Sequence, residues 1–301
     1  LVIDTGGFVN HPVVVFDPHI EETPPVQDII RRALAEDIGT GDATTLALVP
    51  ENREGQARLV TRQACCTAGL SIAARVFKAV DSRCHTVSHC RDGQTAQAGE
   101  ALMTVSGPAR ALLTAERTAL NMAQRLTGIA TLTQAFVQAV RPHSTAILDT
   151  RKTTPTLRLL EKYAVFCGGG TNHRLGLYDM ILIKDNHRFL WSGASGGSLA
   201  AALQKARSSY PSLPLEIEVE SLAELRDALE GRPDWVLLDN MAPALMRNCV
   251  ELCRGRCRTE ASGGITLARV AEVAATGVDA ISIGALTHSA PAADLSLEMT
   301  L

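Results

Sequence analysis

Six short apolar runs, each ending in polar or glycine residues, constrain this chain more than any other feature: "AILDT" at 146–150, "MILIKDNH" at 180–187, "PLEIEVES" at 214–221, "WVLLDN" at 235–240, "RTEASGG" at 258–264 and "DAISIGA" at 279–285. Helix-forming segments separate them. Strands alternating with helices pair in parallel, because each crossover returns the chain to the same edge of the sheet. A parallel sheet needs both faces covered, and its ligands collect at the carboxyl ends of its strands. Aromatic residues make up only 4% of the chain while 46% is hydrophobic, so the core is aliphatic. Six visible strands are fewer than the eight of a standard barrel, so either further strands are hidden or the barrel is smaller.

The first half reads differently. Residues 1–24 have no clear period, contain "ETPP" and read as an irregular lead-in. "PVQDIIRRALAED" has helical spacing and ends near Gly39, and "QARLVTRQACC", "HTVSHCRDG" and "EALMTVSG" read as short strands between Gly and Asp turns. Residues 109–140 form a run of helix formers with a potential break at Gly128, placed to bridge two domains. The expected division is a lead-in at 1–24, an α+β domain at 25–128 joined by 289–301, and a catalytic domain at 129–288.

A formal charge of −3 argues against a general nucleic-acid surface, which requires many cations facing phosphates. No apolar run has the length of a membrane span, and the opening residues lack a basic leader, so the expectation is a cytoplasmic protein with no membrane partner. The eight cysteines include no C-x-x-C pair. Cys249, Cys253 and Cys257 recur at helical spacing, a pattern that more often faces a core than a zinc ion.

Charge is instead concentrated locally. Between residues 151 and 184 six cations (Arg151, Lys152, Arg158, Lys162, Arg174 and Lys184) stand against two acids, Glu161 and Asp179. Arg158 and Lys162 lie on a helical stretch and read as solvated charges; the other four fall at strand ends or in loops. An arginine fork matches a carboxylate, and a lysine offers a compact charge suited to phosphate. His173 precedes Arg174 in "GGGTNHR", where glycines allow close backbone approach. Strand alternation puts Glu216, Glu218 and Glu220 on one face. These carboxylates, with Asp239, could hold sugar hydroxyls or hydrated Mg²⁺, or form an internal salt-bridge layer with the lysines. Ser262, Gly263, Gly264 and Gly284 are small residues at successive strand ends, where barrels cradle phosphate on backbone N–H groups. Neither a Walker A loop nor G-x-G-x-x-G is present, which weighs against nucleotide-binding folds.

In order, DTRKT, GGGxNHR, IKDNH, EVE, LLDN, SGGI and IGALTH closely resemble the quinolinate phosphoribosyltransferase family, and "ALAEDIGTGDATT" extends the likeness back to about residue 25. The resemblance implies an α/β fold: an incomplete α/β barrel of the type II phosphoribosyltransferase kind with an N-terminal α+β sandwich domain. It implies a homodimer with shared active sites, open to higher assembly, and Mg²⁺ held through water by Glu218 and Asp239. Arg151, His173, Arg174 and Lys184 would hold the two carboxylates of quinolinate, and Arg117 of "ERTALN" would reach the partner's substrate. Lys152, Lys184, Glu218, Asp239, Ser262, Gly263, Gly264, Gly284 and His288 would surround 5-phosphoribosyl 1-pyrophosphate. Of these, Lys152, Lys184, Glu218 and Asp239 would carry the chemistry. The rival expectations are a paralogue that takes nicotinate or another aromatic acid, and a lyase that uses Lys184 as a Schiff base. Residues 1–24 and the three spaced cysteines have no role in this reading.

Overall fold

A computed structural model describes residues 2–4, 13–195 and 198–300. The chain divides into two compact units, one of residues 1–15, 135–152 and 170–285, the other of residues 16–134, 153–169 and 286–301. The second unit therefore takes in residues 153–169 and 286–301 as well as residues 16–134.

The first unit is built on six parallel strands: β1 (Ala146–Leu148), β2 (Ile181–Ile183), β3 (Leu215–Val219), β4 (Trp235–Asp239), β5 (Arg258–Ser262) and β6 (Ala280–Ser282). Their spatial order is β1-β6-β5-β4-β3-β2, with every pair parallel. All six runs read from the sequence are strands. The sheet is not closed into a barrel; beside β1 lies an isolated parallel bridge, Leu148 to Thr171. Thr150, Arg151 and Lys152, just past the edge strand β1, and Leu182 of the opposite edge strand β2 nonetheless line one cavity, so the sheet curls upon itself. Leu148, Met180, Trp235 and Ala280 pack together as an apolar plug, with Ala146 against it. Along β3 every residue is buried, so Leu215, Ile217 and Val219 cover one face while Glu216 and Glu218 are carried inside on the other. Val2–Asp4 and Val13–Val15 pair antiparallel, which replaces part of the expected irregular lead-in with a short ribbon; residues 5–12 of that lead-in lie outside the described residues.

The second unit holds a four-stranded antiparallel sheet in which Leu295–Thr300, Glu54–Thr61, Ala101–Pro108 and His85–Ser88 lie in that order. The helix Pro24–Ile38 opens with proline at its first positions and ends on Gly39 at φ 53°, a left-handed backbone suited to glycine. Lys162, expected to be solvated, is completely buried. So is its neighbour Glu161, which accepts from Arg125 Nη2 at 2.8 Å, from the Thr154 hydroxyl at 2.7 Å and from the Thr154 N–H at 3.0 Å.

The helix Ala109–Ala139 runs unbroken through Gly128, correcting the expected break. Gly128 is there for space: a Cβ on it would lie 2.0 Å from the carbonyl oxygen of Pro291. The Cys249 and Cys253 side chains are buried on the helix Pro243–Cys253, as a core-facing stripe requires. Although alanine favours a helix over glycine, Gly128→Ala should destabilise by about 1–3 kcal/mol through overpacking, lowering Tm by several degrees in a thermal melt.

Candidate functional site

The carboxyl ends of the strands open into a cavity of about 270 Å³ lined by Thr150, Arg151, Lys152, His173, Arg174, Leu182, Lys184, Leu237, Glu260, Ser262 and Ser282. The parallel register explains why these residues meet. Glu218 pairs with Leu237, Leu237 with Glu260, and Asp239 with Ser262, so one face of neighbouring strands presents all of them at similar heights. A larger cavity, about 410 Å³, lies in the other unit; Ile29, Met122, Leu126 and Leu160 give it largely apolar walls.

The loop after β1 carries the cations. Asp149, completely buried, accepts from Asn172 Nδ2 at 2.6 Å and from the His173 backbone N–H at 2.8 Å, tying "NHR" to the end of β1. Arg151 and Arg174 are thereby brought close enough to repel. Burial first, then the charge of Arg151, lowers the Arg174 pKa below its ordinary value. Arg174 Nη1 donates to the Met180 carbonyl at 3.0 Å. Arg151 Nε is buried with no hydrogen-bond partner among the described residues. Two converging guanidiniums, one with an unused buried donor, form a place for an anion.

Lys184, at the end of β2, is ion-paired with Glu218 at 2.9 Å. Glu218 is in turn held from behind. Arg188 donates to its backbone carbonyl at 3.2 Å and pairs with Glu224, which also accepts from the Glu220 N–H at 2.8 Å. Carboxylate oxygens of Glu218, Glu220 and Asp239 lie within 4.8 Å of one another. Such an all-oxygen set fits a hard divalent cation, and because Lys184 already occupies Glu218, a water-bridged ion suits the site better than direct coordination. Past β5, Gly263 and Gly264 adopt φ of 101° and 57°, conformations that favour glycine, and a Cβ on Gly263 would lie 2.2 Å from Asn240 Oδ1. Ser262 therefore leads into a backbone loop that bulkier residues could not form. Arg117 and His288 belong to the other unit, where both are exposed; His288 Nδ1 lies 2.6 Å from the Ser289 hydroxyl.

Deeper in the cavity is a group that strand periodicity hinted at only through Glu216. His173 Nε2 lies 3.2 Å from Glu216 and 3.4 Å from Glu260, and both acids are completely buried. Burial drives the pKa of each carboxyl up to about 8; Lys184 and Arg174 oppose this at Glu216, while at Glu260 the nearby Glu216 adds to it and His173 opposes it. Two ionised carboxyls at such range repel by about 4 kcal/mol at an effective dielectric constant near 20, so the pair retains a proton at neutral pH. The same three residues have the composition of a metal site. However, His173 Nδ1 accepts the Arg174 backbone N–H at 2.6 Å, which leaves the imidazole proton on Nε2, where a metal would need the lone pair. Glu260 could have been suspected from "EASGG", since a lone acid two residues before a strand end points to the same side as Ser262. Asp149 and Arg188 gave no signal of their own, because their partners are distant in sequence.

The pair also sets a pH dependence. The unfolded chain releases these protons near the ordinary glutamate value of 4.5, whereas the folded chain holds them to about 8. The folded state therefore binds more protons across that window, and its stability falls as pH rises through it, by at most about 1.4 kcal/mol per pH unit for each retained proton. Tm measured from pH 5 to 8.5 should decline in the native protein and decline less steeply in Glu260→Gln.

Quinolinate phosphoribosyl transferase family models match this chain, the N-terminal domain over residues 42–127 and the C-terminal domain over residues 129–298. The chain is 41% identical over 277 residues to the probable nicotinate-nucleotide pyrophosphorylase (carboxylating) of Bacillus subtilis, covering 92% of this chain and 94% of that one. It is 44% identical over 285 residues to the nicotinate-nucleotide pyrophosphorylase (carboxylating) of Mycobacterium leprae, covering 92% and 98%. The crystal structure of NadC from Streptococcus pyogenes superimposes with a TM-score of 0.88 at 37% identity, covering 95% of this chain and 99% of that one.

Proposed function

The chain belongs to the quinolinate phosphoribosyltransferase family, and from that premise we propose that it transfers the phosphoribosyl group of 5-phosphoribosyl 1-pyrophosphate to quinolinate, releasing pyrophosphate and CO₂ and giving nicotinate mononucleotide for de novo NAD synthesis. The observation that carries this reading is the pair of guanidiniums on one cavity, with the buried Arg151 Nε unused among the described residues. A dicarboxylate would satisfy both.

In this reading Arg151, His173, Arg174 and Lys184 receive the two carboxylates of quinolinate from the cavity wall. Lys152, exposed at the mouth, meets phosphate or pyrophosphate oxygens. The Ser262-Gly263-Gly264 loop and Gly284 offer backbone N–H groups to the 5-phosphate, and in the same reading His288 contacts this substrate. The pyridine nitrogen attacks the anomeric carbon as pyrophosphate leaves, and positive charge develops on the sugar. Glu218 and Asp239 stabilise that charge electrostatically. Holding both reactants in line supplies much of the rate, since orientation replaces a costly encounter. The quaternary nitrogen then accepts the electron pair left as the adjacent carboxylate departs. Mg²⁺, held through water by Glu218 and Asp239, would neutralise pyrophosphate charge when bound. A Schiff-base lysine must be a free amine, whereas Lys184 is held as an ion pair by Glu218, which weighs against the lyase reading.

The same reading includes a homodimer in the cytoplasm, with Arg117 of one subunit completing the partner's site. Leu177, Tyr178, Phe189 and Leu190, each at least 67% exposed, flank β2 and supply the apolar surface that a second subunit would cover. Among the described residues no helix is long and apolar enough to cross a membrane.

Purified protein given quinolinate, 5-phosphoribosyl 1-pyrophosphate and Mg²⁺ should form nicotinate mononucleotide and CO₂ in equal amounts and should leave nicotinate unreacted; turnover of nicotinate instead would make it the paralogue. Arg174→Ala should lower kcat/KM for quinolinate by about two orders of magnitude, the effect of leaving a buried carboxylate without its partner; near-normal kcat/KM would remove Arg174 from the pocket. Mixing Arg117→Ala subunits with Arg151→Ala subunits should restore activity to one site per heterodimer, and no recovery in confirmed heterodimers would rule out shared sites.

A further inference from the structure

One guanidinium, on a residue the proposed chemistry does not use, fastens two segments that lie far apart in the chain. Arg125, on the helix Ala109–Ala139, donates from Nε at 3.1 Å and from Nη2 at 2.8 Å to the carboxylate of Glu161. Its Nη1 donates to the Ala290 carbonyl at 3.2 Å, and its Nη2 also donates to the Thr287 carbonyl. Glu161, completely buried on the helix Arg158–Cys167, accepts in addition from the Thr154 hydroxyl at 2.7 Å and from the Thr154 N–H at 3.0 Å. All five residues belong to one unit. Thr154 follows Lys152 by two residues, and His288 lies between Thr287 and Ala290. The loop is fixed at its neighbouring residues too: Arg158 Nε donates to the Thr153 hydroxyl at 3.0 Å, and the Lys152 N–H donates to the Thr150 hydroxyl at 3.0 Å. A buried carboxylate keeps its charge only where cations and donors surround it, as Arg125 and Thr154 do here.

We propose that Arg125 and Glu161 are positioning residues for 5-phosphoribosyl 1-pyrophosphate: the pair clasps the loop that leaves Lys152 to the segment that carries His288, so that one ion pair holds both of these side chains in place for that substrate. This rests on the function proposed above. Arginine suits the task where lysine would not. A planar fork with five N–H groups reaches a carboxylate and two carbonyls at once, whereas an ammonium on a flexible stem supplies charge without direction. The quinolinate side is fastened by a different acid, since Asp149 holds Asn172 and the His173 N–H. Loosening the Arg125 clasp therefore acts on one substrate more than on the other.

The test compares Arg125→Lys, which keeps a charge against Glu161, with Arg125→Gln, which does not. Arg125→Lys should keep Tm within a few degrees of native and raise KM for 5-phosphoribosyl 1-pyrophosphate about tenfold, with KM for quinolinate within about threefold of native. Arg125→Gln should widen that split; if it does not fold, the lysine variant decides. A pair that served folding alone would lower Tm and the active fraction, which moves kcat and neither KM. In hydrogen exchange, residues 153–157 and 286–291 should exchange faster together in Arg125→Lys while residues 171–176 keep the native rate. An equal rise in both KM values, an unchanged KM for 5-phosphoribosyl 1-pyrophosphate, or native exchange in both segments overturns the proposal. Pyrophosphate titrated calorimetrically with Mg²⁺ reads the same contacts without turnover, and should bind the native protein about tenfold more tightly than Arg125→Lys. If the native protein turns over neither quinolinate nor nicotinate, the proposed function fails and the pyrophosphate affinities decide: the tenfold gap sustains the clasp, whereas equal affinities, or no binding to the native protein, overturn it.

Discussion

Electrostatic repulsion between Arg151 and Arg174 is the constraint around which the rest of the site is arranged. Two guanidiniums sharing a small cavity are unfavourable unless compensating groups are close. The chain supplies partial compensation from below, through Glu216 and Glu260, while leaving the mouth of the cavity cationic. Because those acids are buried together they hold a proton, so they do not cancel the cations above them. The result is a pocket whose charge is completed by a bound anion.

That arrangement needs rigid ground beneath it, which the strands provide. Each is only three to five residues long, and each is stiffened by parallel neighbours. Loops leaving the carboxyl ends are then pinned individually: the "NHR" segment by Asp149, the end of β3 by Arg188 and Glu224, and the turn after β5 by glycine conformations next to Asn240. Lys184 and Glu218 meet because adjacent strands end at similar heights and their tips are fastened. Positioning a side chain to within half an ångström is the harder part of building such a site, and here backbone carbonyls and N–H groups do most of it.

Much of this is legible in the amino-acid sequence. Alternating apolar runs and helical segments require a parallel sheet, and polar residues at strand ends locate the site. The ordered motifs point to the family and to most of the residues that line the cavity. What the linear pattern misses has a common cause: burial and pairing between residues far apart in the chain. Lys162 looks solvated on a helical stretch, yet it is fully buried. Gly128 looks like a helix break, yet it makes room for the carbonyl of Pro291, more than 160 residues later.

The sequence by itself determined the strands, the crossovers between them and the chemistry at their ends, because periodicity and residue type are local properties read along the chain. Only the tertiary structure decided which charges share a proton, which donor of Arg151 has no partner among the described residues and which nitrogen of His173 carries its hydrogen. Those depend on distances of about three ångströms between side chains from different strands and loops, and on the loss of water around them, neither of which a linear pattern encodes.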